Sequence, residues 1–519
     1  MDRVLFALSG GLPAVPPAGS ESQRTRLSVS SHPYAKAGSV KCPKVSESNP
    51  TVRTGAQQKS VTLIRQIGVV SATALVVSNM IGQGIFTTTG FLAGDLGSPE
   101  LVLGIWLVGA MVALAGAFCY AELGINFPSS GGEYVYLTRA YGPTWGFMTG
   151  WISFFAGFSA PIAAASLAFA GYLGHFWPAL HPDRPVWSIG SGALSLRLGG
   201  AQLVATALIV LFTVLNFFGV GLIARIQNVL TATKLLVIGS FMLLGLLAGS
   251  GSWDHFSQSA VRTSPYPLLG QFAISLFWIY VAYSGWNAPT YVAEEIRRPE
   301  RTLPISLALG TLLVAAVFLA LNVVYIYAVP LEVMKGELAV GALAATRLFG
   351  PEVAGTFSLL MAVSLVATVN AMVTIGPRVY YAMAQNRAFF RAAAYVHPRW
   401  RTPVNAIIAQ GVCAALMSMT SFPNLIIYIG FSLTFFAVLS VASLFVFRRR
   451  PGWQKLRVVS FAWPLFPALF ILVGAVTIAY GVTLEWRVSL AAIATITAGA
   501  LVYHFRFRPQ QAGDPGEPA

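Results

Sequence analysis

The sequence predicts an all-α polytopic membrane protein of about twelve transmembrane helices, ten of them paired as a five-plus-five inverted repeat. Three observations carry this. Of its 519 residues, 56% are hydrophobic and only 10% charged, where soluble domains carry about 25% charged residues. The apolar residues gather in runs of the length a helix needs to cross the hydrocarbon core of a bilayer. Two of those runs, five spans apart, are interrupted in their centres by residues that a spanning helix avoids.

Taken in order, residues 1–60 are rich in Ser, Pro and Gly with scattered basic residues. This composition predicts a disordered tail, and Val4–Leu8 is too short for the apolar core of a signal peptide. Apolar runs follow at roughly 67–92, 100–122, 143–174, 200–220, 223–249, 266–292, 303–329, 353–377, 404–420, 424–447, 460–481 and 487–505. A transmembrane domain over 61–508 is expected, and 509–519 forms a short tail. Between the second and third runs, Phe127-Pro128-Ser129-Ser130-Gly131-Gly132-Glu133-Tyr134-Val135-Tyr136 is too polar to span and too aromatic for a free loop. A segment packed at the membrane face is expected there.

The first interruption is Met80-Ile81-Gly82-Gln83-Gly84. Two glycines flanking an amide are poor helix formers, and lipid tolerates such a break only where the freed backbone faces protein, water or a ligand. The second is Val281-Ala282-Tyr283-Ser284-Gly285-Trp286-Asn287, followed by Ala288-Pro289. Because five spans is an odd number, the two units have opposite topology. Paired interrupted helices in matching places of inverted halves point to a midplane binding site. The repeats are expected over about 66–249 and 266–447, with two appended helices at 460–505. The bland alternative is that the glycines only let helices pack closely.

The formal charge is +15. With the N-terminus inside, 26 of the 33 Lys and Arg fall in segments on the N-terminal side and 6 in loops on the other, leaving Lys234 in a span. This bias predicts that both termini are cytoplasmic, and it accounts for the basicity without nucleic acid. Cys42, Cys119 and Cys413 lie in the tail and in two apolar runs, which argues against a structural disulfide. The six histidines are scattered, with no HExxH, phosphate-binding or Cys-rich metal pattern, so a membrane enzyme is disfavoured and no metal or cofactor is expected.

Met80-Ile81-Gly82-Gln83-Gly84-Ile85-Phe86 resembles the broken first helix of the amino acid–polyamine–organocation transporters. Cys119-Tyr120-Ala121-Glu122-Leu123-Gly124 through Gly131-Gly132-Glu133-Tyr134 is similar to that family's second-helix exit and first loop. Tyr283-Ser284-Gly285-Trp286-Asn287 and Glu294-Glu295-Ile296-Arg297-Arg298-Pro299 resemble its sixth helix and exit. His397-Pro398 and Thr402-Pro403-Val404 are most like the L-type amino acid transporter branch. The resemblance implies the leucine-transporter-like inverted-repeat fold, a plasma (inner) membrane location, free amino acids or related amines as substrates, and transport by exchange or proton-linked uptake.

The resemblance further implies a substrate site formed by Met80, Ile81, Gly82, Gln83 and Gly84 with Val281, Ala282, Tyr283, Ser284 and Gly285. The N–H groups of Gln83 and Gly84 open a half-helix whose positive end suits a carboxylate. Carbonyls of Met80, Val281 and Ser284 would accept from the α-ammonium. Gln83 stands where the family has Ser or Thr, and Val281 where many relatives have an aromatic gate. Phe277, Tyr280 or Trp286 could take over that gate. The loop between spans three and four lacks the cysteine through which animal relatives bond a heavy chain, so no disulfide-linked heavy chain is expected.

Lys234 lies within the fifth span, where a lysine costs on the order of 3 kcal/mol unless it snorkels to the interface. The resemblance implies that its ammonium takes the place of a sodium ion and holds the first and eighth helices. Sodium independence follows, and proton cycling stays open. Glu122, Glu133, Glu294, Glu295 and Glu300, beside Arg139, Arg297, Arg298 and Arg301, are expected to form ion pairs at the cytoplasmic face. Asn370 is expected to hydrogen-bond between helices. A polyamine transporter and an amino-acid sensor remain the other readings.

Overall fold

The computed structural model describes residues 65–507, apart from 66, 130, 183, 191–194, 219, 386 and 387. The tails expected at 1–60 and 509–519 therefore lie outside the described residues. The first apolar run folds as two helices, α1 (Val69–Met80) and α2 (Gln83–Leu96), bent by 44° at the break. Next come α3 (Pro99–Asn126) and the short α4 (Glu133–Tyr141), which is the packed polar segment. The third span is continuous over Pro143–Leu173. In it a π-helical turn at Ser153–Ser159 separates α5 (Pro143–Ile152) from α6 (Ala160–Leu173). A small hairpin of β1 (Trp187–Ile189) and β2 (Leu196–Leu198) leads to α7 (Gly200–Leu215) and α8 (Val220–Leu247).

The second half begins with α9 (Leu268–Ala282), which ends at the second break. The chain continues as 3-10 turns over Ala288–Glu295 and then α10 (Pro299–Ala328). Two helices absent from the sequence reading, α11 (Leu331–Met334) and α12 (Val340–Phe349), precede the long α13 (Pro351–Gln385). The remainder is α14 (Val404–Met417), α15 (Phe422–Phe447), α16 (Arg457–Phe461), α17 (Leu465–Leu484) and α18 (Trp486–Val502).

Among the described residues, nine helices are long and apolar enough to span a bilayer, and the bent pair α1–α2 makes a tenth. Runs six and nine correspond to the shorter apolar helices α9 and α14, so twelve spans requires both of these. Leu107, Leu203, Leu236, Leu247, Leu269 and Leu472 stay exposed on helix faces, as expected where lipid rather than water is the solvent.

The face carrying the start of α1 also carries Arg297, Arg298, Arg301 and Arg448, and is the basic face of the protein. There Ile67 forms a parallel bridge with Ile296, its N–H donating to Glu295 O and its carbonyl accepting from Arg297 N–H, both at 2.9 Å. This joins the entrance of the first broken span to the exit of the sixth. α1 packs on α10, while α2 packs on α9, α11 and α12. Tyr172 Oη donates to Phe86 O at 2.7 Å and Thr89 Oγ1 to Asn322 Oδ1 at 2.6 Å, so α6 and α10 pin α2 from two sides.

Candidate functional site

The two breaks meet. A Cβ at Gly84 would lie 2.5 Å from Ala282 Cα, and one at Gly285 would lie 3.0 Å from Asn79 backbone and Cβ atoms. The residue after each break thus sits against the residue before the other, the reciprocal contact an inverted repeat requires. Gly285 has φ +99°, a conformation glycine adopts without strain. Gly84 is needed instead for close approach. Close packing, set against a binding site as the bland alternative, is therefore present together with the interruption.

At the first break, Ile81 caps α1 with its N–H on Val77 O at 3.1 Å, then turns to extended geometry. α2 starts at Gln83 with no side-chain cap. Among the described residues no side chain caps its first N–H groups, and the positive end of the helix dipole opens at the break. Gln83 is 6% exposed, and among the described residues its side-chain amide makes no hydrogen bond. A Cβ on Gly82 would only touch Thr368 of α13, at 3.8 Å.

Lys234 is 2% exposed, and its ammonium donates to Ile81 O at 2.5 Å. The charge does not reach the interface by snorkelling. Among the described residues it forms no ion pair, and no hydrogen bond links it to α13. Thr368, which sequence reasoning did not single out, faces the break from α13 with a buried hydroxyl that has no hydrogen-bond partner among the described residues. Nothing in the sequence separates it from the many other Ser and Thr of the spans. Asn370, two residues on, donates to Gln227 Oε1 of α8 at 2.7 Å, an interhelical bond.

The second break is partly self-satisfied. Ser284 donates both its N–H (3.1 Å) and its Oγ (2.7 Å) to Val281 O. Tyr283 Oη donates to Trp106 O at 3.2 Å, so its ring points into α3. The candidate gate residues are also turned outward from the breaks. Phe277 packs on Phe431 and on Gly430, and Tyr280 Oη donates to Leu433 O at 3.4 Å. Trp286 lies edge-on to Tyr120 with centroids 4.8 Å apart. Tyr280, Tyr283 and Trp286 line a crevice between α3, α9, α15 and α17.

A different aromatic group lies on the side opposite the basic face. Phe91 of α2 stacks on Trp278 of α9 at 4.5 Å, and Phe422 of α15 lies 5.9 Å and 6.1 Å from them. Outside it is a vestibule with Arg197, Gln202, Leu338 and Phe422 in its wall. Phe91 and Phe422 gave no sequence signal, because aromatic residues are common in every run.

On the basic face, Glu122 and Glu133 differ from the ion pairs expected of them. Glu122 pairs with Arg448, not with Arg139 or Arg297, in a bidentate contact that also receives Trp453 Nε1 at 2.9 Å and Leu456 N–H at 3.1 Å. The cause is the fold: the ends of α3 and α15 come together there. Glu133 has no cation partner among the described residues. It accepts from Tyr120 Oη at 2.6 Å and from Asn287 Nδ2 at 3.2 Å.

The chain is similar to known proteins along most of its length. The amino acid permease family pattern matches residues 67–500. The chain is 29% identical over 473 residues to the human large neutral amino acids transporter small subunit 2, covering 89% of this chain and 84% of that protein. It is 30% identical over 415 residues to the serine/threonine exchanger SteT of Bacillus subtilis (79% and 89% covered). Similarity to the mouse b(0,+)-type amino acid transporter 1 is 27% over 458 residues (86% and 89%).

Proposed function

Because the chain belongs to the amino acid permease family, we propose that it moves free amino acids across the plasma membrane by alternating access, without sodium. The basic face is taken as cytoplasmic. The observation that carries the reading is the reciprocal packing of two broken spans with the Lys234 ammonium on the Ile81 carbonyl. The uncapped N–H groups of Gln83 and Gly84 receive the substrate carboxylate, and the Gln83 amide adds a longer contact. Freed carbonyls at Met80 and Ser284 accept from the α-ammonium, while Val281 O is already engaged by Ser284.

A cation fixed at Ile81 O supplies the positive charge that a sodium ion would bring, which supports sodium-independent exchange or proton-linked uptake. No Asp or Glu lies within either break, which favours a zwitterion over a polyamine. The loop of residues 174–199 contains no cysteine, which supports a chain that needs no disulfide-linked partner.

The test is uptake of labelled neutral amino acids into liposomes, with and without internal amino acid, a pH gradient or sodium. Stimulation by internal amino acid or by the pH gradient, unaffected by sodium, is expected. Strict sodium dependence refutes the role given to Lys234, and uptake of none refutes transport.

A further inference from the structure

Glu133 is the buried carboxyl that the substrate site does not use. It opens α4, after Gly132 with φ +50°. A Cβ at Gly132 would lie 2.7 Å from the Tyr291 ring, so this turn folds tightly under the exit of the sixth span and turns Glu133 inward. The carboxyl then joins three elements. Tyr120 reaches it from α3, and Asn287 from the chain just past the second break. Asn287 also donates to Tyr291 Oη at 3.3 Å.

Both hydrogen bonds fall on Oε1, and Oε2 makes none among the described residues. The titratable groups facing the carboxyl are Tyr120 of α3, Tyr136 of α4, Tyr280 of α9 and Tyr291 beyond the break. Among the described residues no Lys, Arg or His pairs with it, and Arg139 on the last turn of α4 offers its carbonyl to Arg450. The positive end of α4 and the two hydrogen bonds favour the carboxylate, whereas burial favours the neutral acid. Burial wins, and the carboxyl is pushed up to about 7.

We propose that Glu133 is a proton-binding site that governs closure of the basic face. With the proton on Oε2, the carboxyl keeps Tyr120 and Asn287 on Oε1 and holds α3, α4 and the exit of the sixth span together. Ionised, it is a buried charge with no cation, and the junction relaxes to admit water. The sign follows from linkage. The folded group binds its proton more tightly than an exposed glutamate, so the closed junction is favoured at low pH and loses stability as pH rises through about 7. The proposal rests on the transporter reading only for what closure controls.

The experiment is infrared pH titration of the purified full-length protein in lipid, beside amino-acid exchange in liposomes. A protonated-carboxyl band with a midpoint near 7, absent in Glu133→Gln, is expected. Tyr120→Phe removes a bond that favours the charged form and raises that midpoint; Glu133→Asp retains a titrating band. Identical spectra for the wild type and Glu133→Gln overturn the site. Exchange should change by about fivefold across the titration and lose this dependence in Glu133→Gln; parallel profiles overturn the gating role. If no amino acid is exchanged at any pH, the transport reading fails, and the band alone decides the proton site.

Discussion

At the residue scale, Lys234 and Gln83 make different demands on the same break. Lys234 is committed to the protein, with its ammonium on Ile81 O and almost no exposure. Lys234→Met removes the donor and leaves that carbonyl buried and unpaired, a loss of about 1–3 kcal/mol, while it also relieves the roughly 3 kcal/mol that a lysine costs within a span. Transport should fall with little net change in melting temperature, and transport at wild-type level would contradict this account. Among the described residues the Gln83 amide makes no hydrogen bond, so Gln83→Ala should change stability by less than about 1 kcal/mol. Substrate affinity, measured calorimetrically, should drop about tenfold or more if the amide reaches the carboxylate, since a hydrogen bond to a charged group contributes about 1.5–3 kcal/mol. Gln83 and Lys234 were legible because an amide between glycines and a charge within a span each break the apolar pattern. Thr368 was not legible, since a hydroxyl in a span carries no such contrast.

At the element scale, the interrupted helices were readable and their contacts were not. Gly82, Gly84 and Gly285 mark breaks in sequence, yet only the fold separates their tasks. Gly84→Ala drives a methyl into Ala282 backbone, whereas at Gly82 it meets ordinary contact with Thr368. Gly84→Ala should therefore destabilise by about 1–3 kcal/mol through overpacking, and Gly82→Ala by much less; melting curves of the two variants test this. Any larger residue at Gly84 disturbs the crossing as well as the N–H groups, so substitution there does not isolate substrate binding. The Glu122–Arg448 pair shows the other limit of sequence reading, because its members are 326 residues apart and nearer arginines offered simpler partners. Arg448→Met strands a buried carboxylate and should lower stability by about 3–5 kcal/mol. The double variant with Glu122→Gln should recover much of that loss in a thermal double-mutant cycle. Full additivity of the two single losses would mean that the pair is not coupled.

At the scale of the whole molecule, the two breaks lie between two closures of different chemistry. Toward the basic face the closure is polar, with Glu133, Tyr120 and Asn287 tying the sixth-span exit to α3 and α4. Toward the opposite face it is apolar, with Phe91, Trp278 and Phe422 tying α9 to α2 and α15. Both closures take a residue from the same broken span, Trp278 before the break and Asn287 after it. Under the proposed alternating access, Ser284-Gly285 is where these halves would move separately. Phe422 makes two of the three ring contacts in the apolar closure, and each such pair contributes about 0.5–1.5 kcal/mol. Phe422→Ala should then shift the population toward states open on that face by about fivefold or more. Thr368→Cys provides the readout, placed in a background in which Cys42, Cys119 and Cys413 are Ser. Its hydroxyl position lies beside Gly82 at the break, inside the apolar closure. A membrane-impermeant thiol reagent applied to the opposite face should label it slowly in that background and severalfold faster with Phe422→Ala. An unchanged rate would show that the three rings pack the helices without controlling access to the breaks.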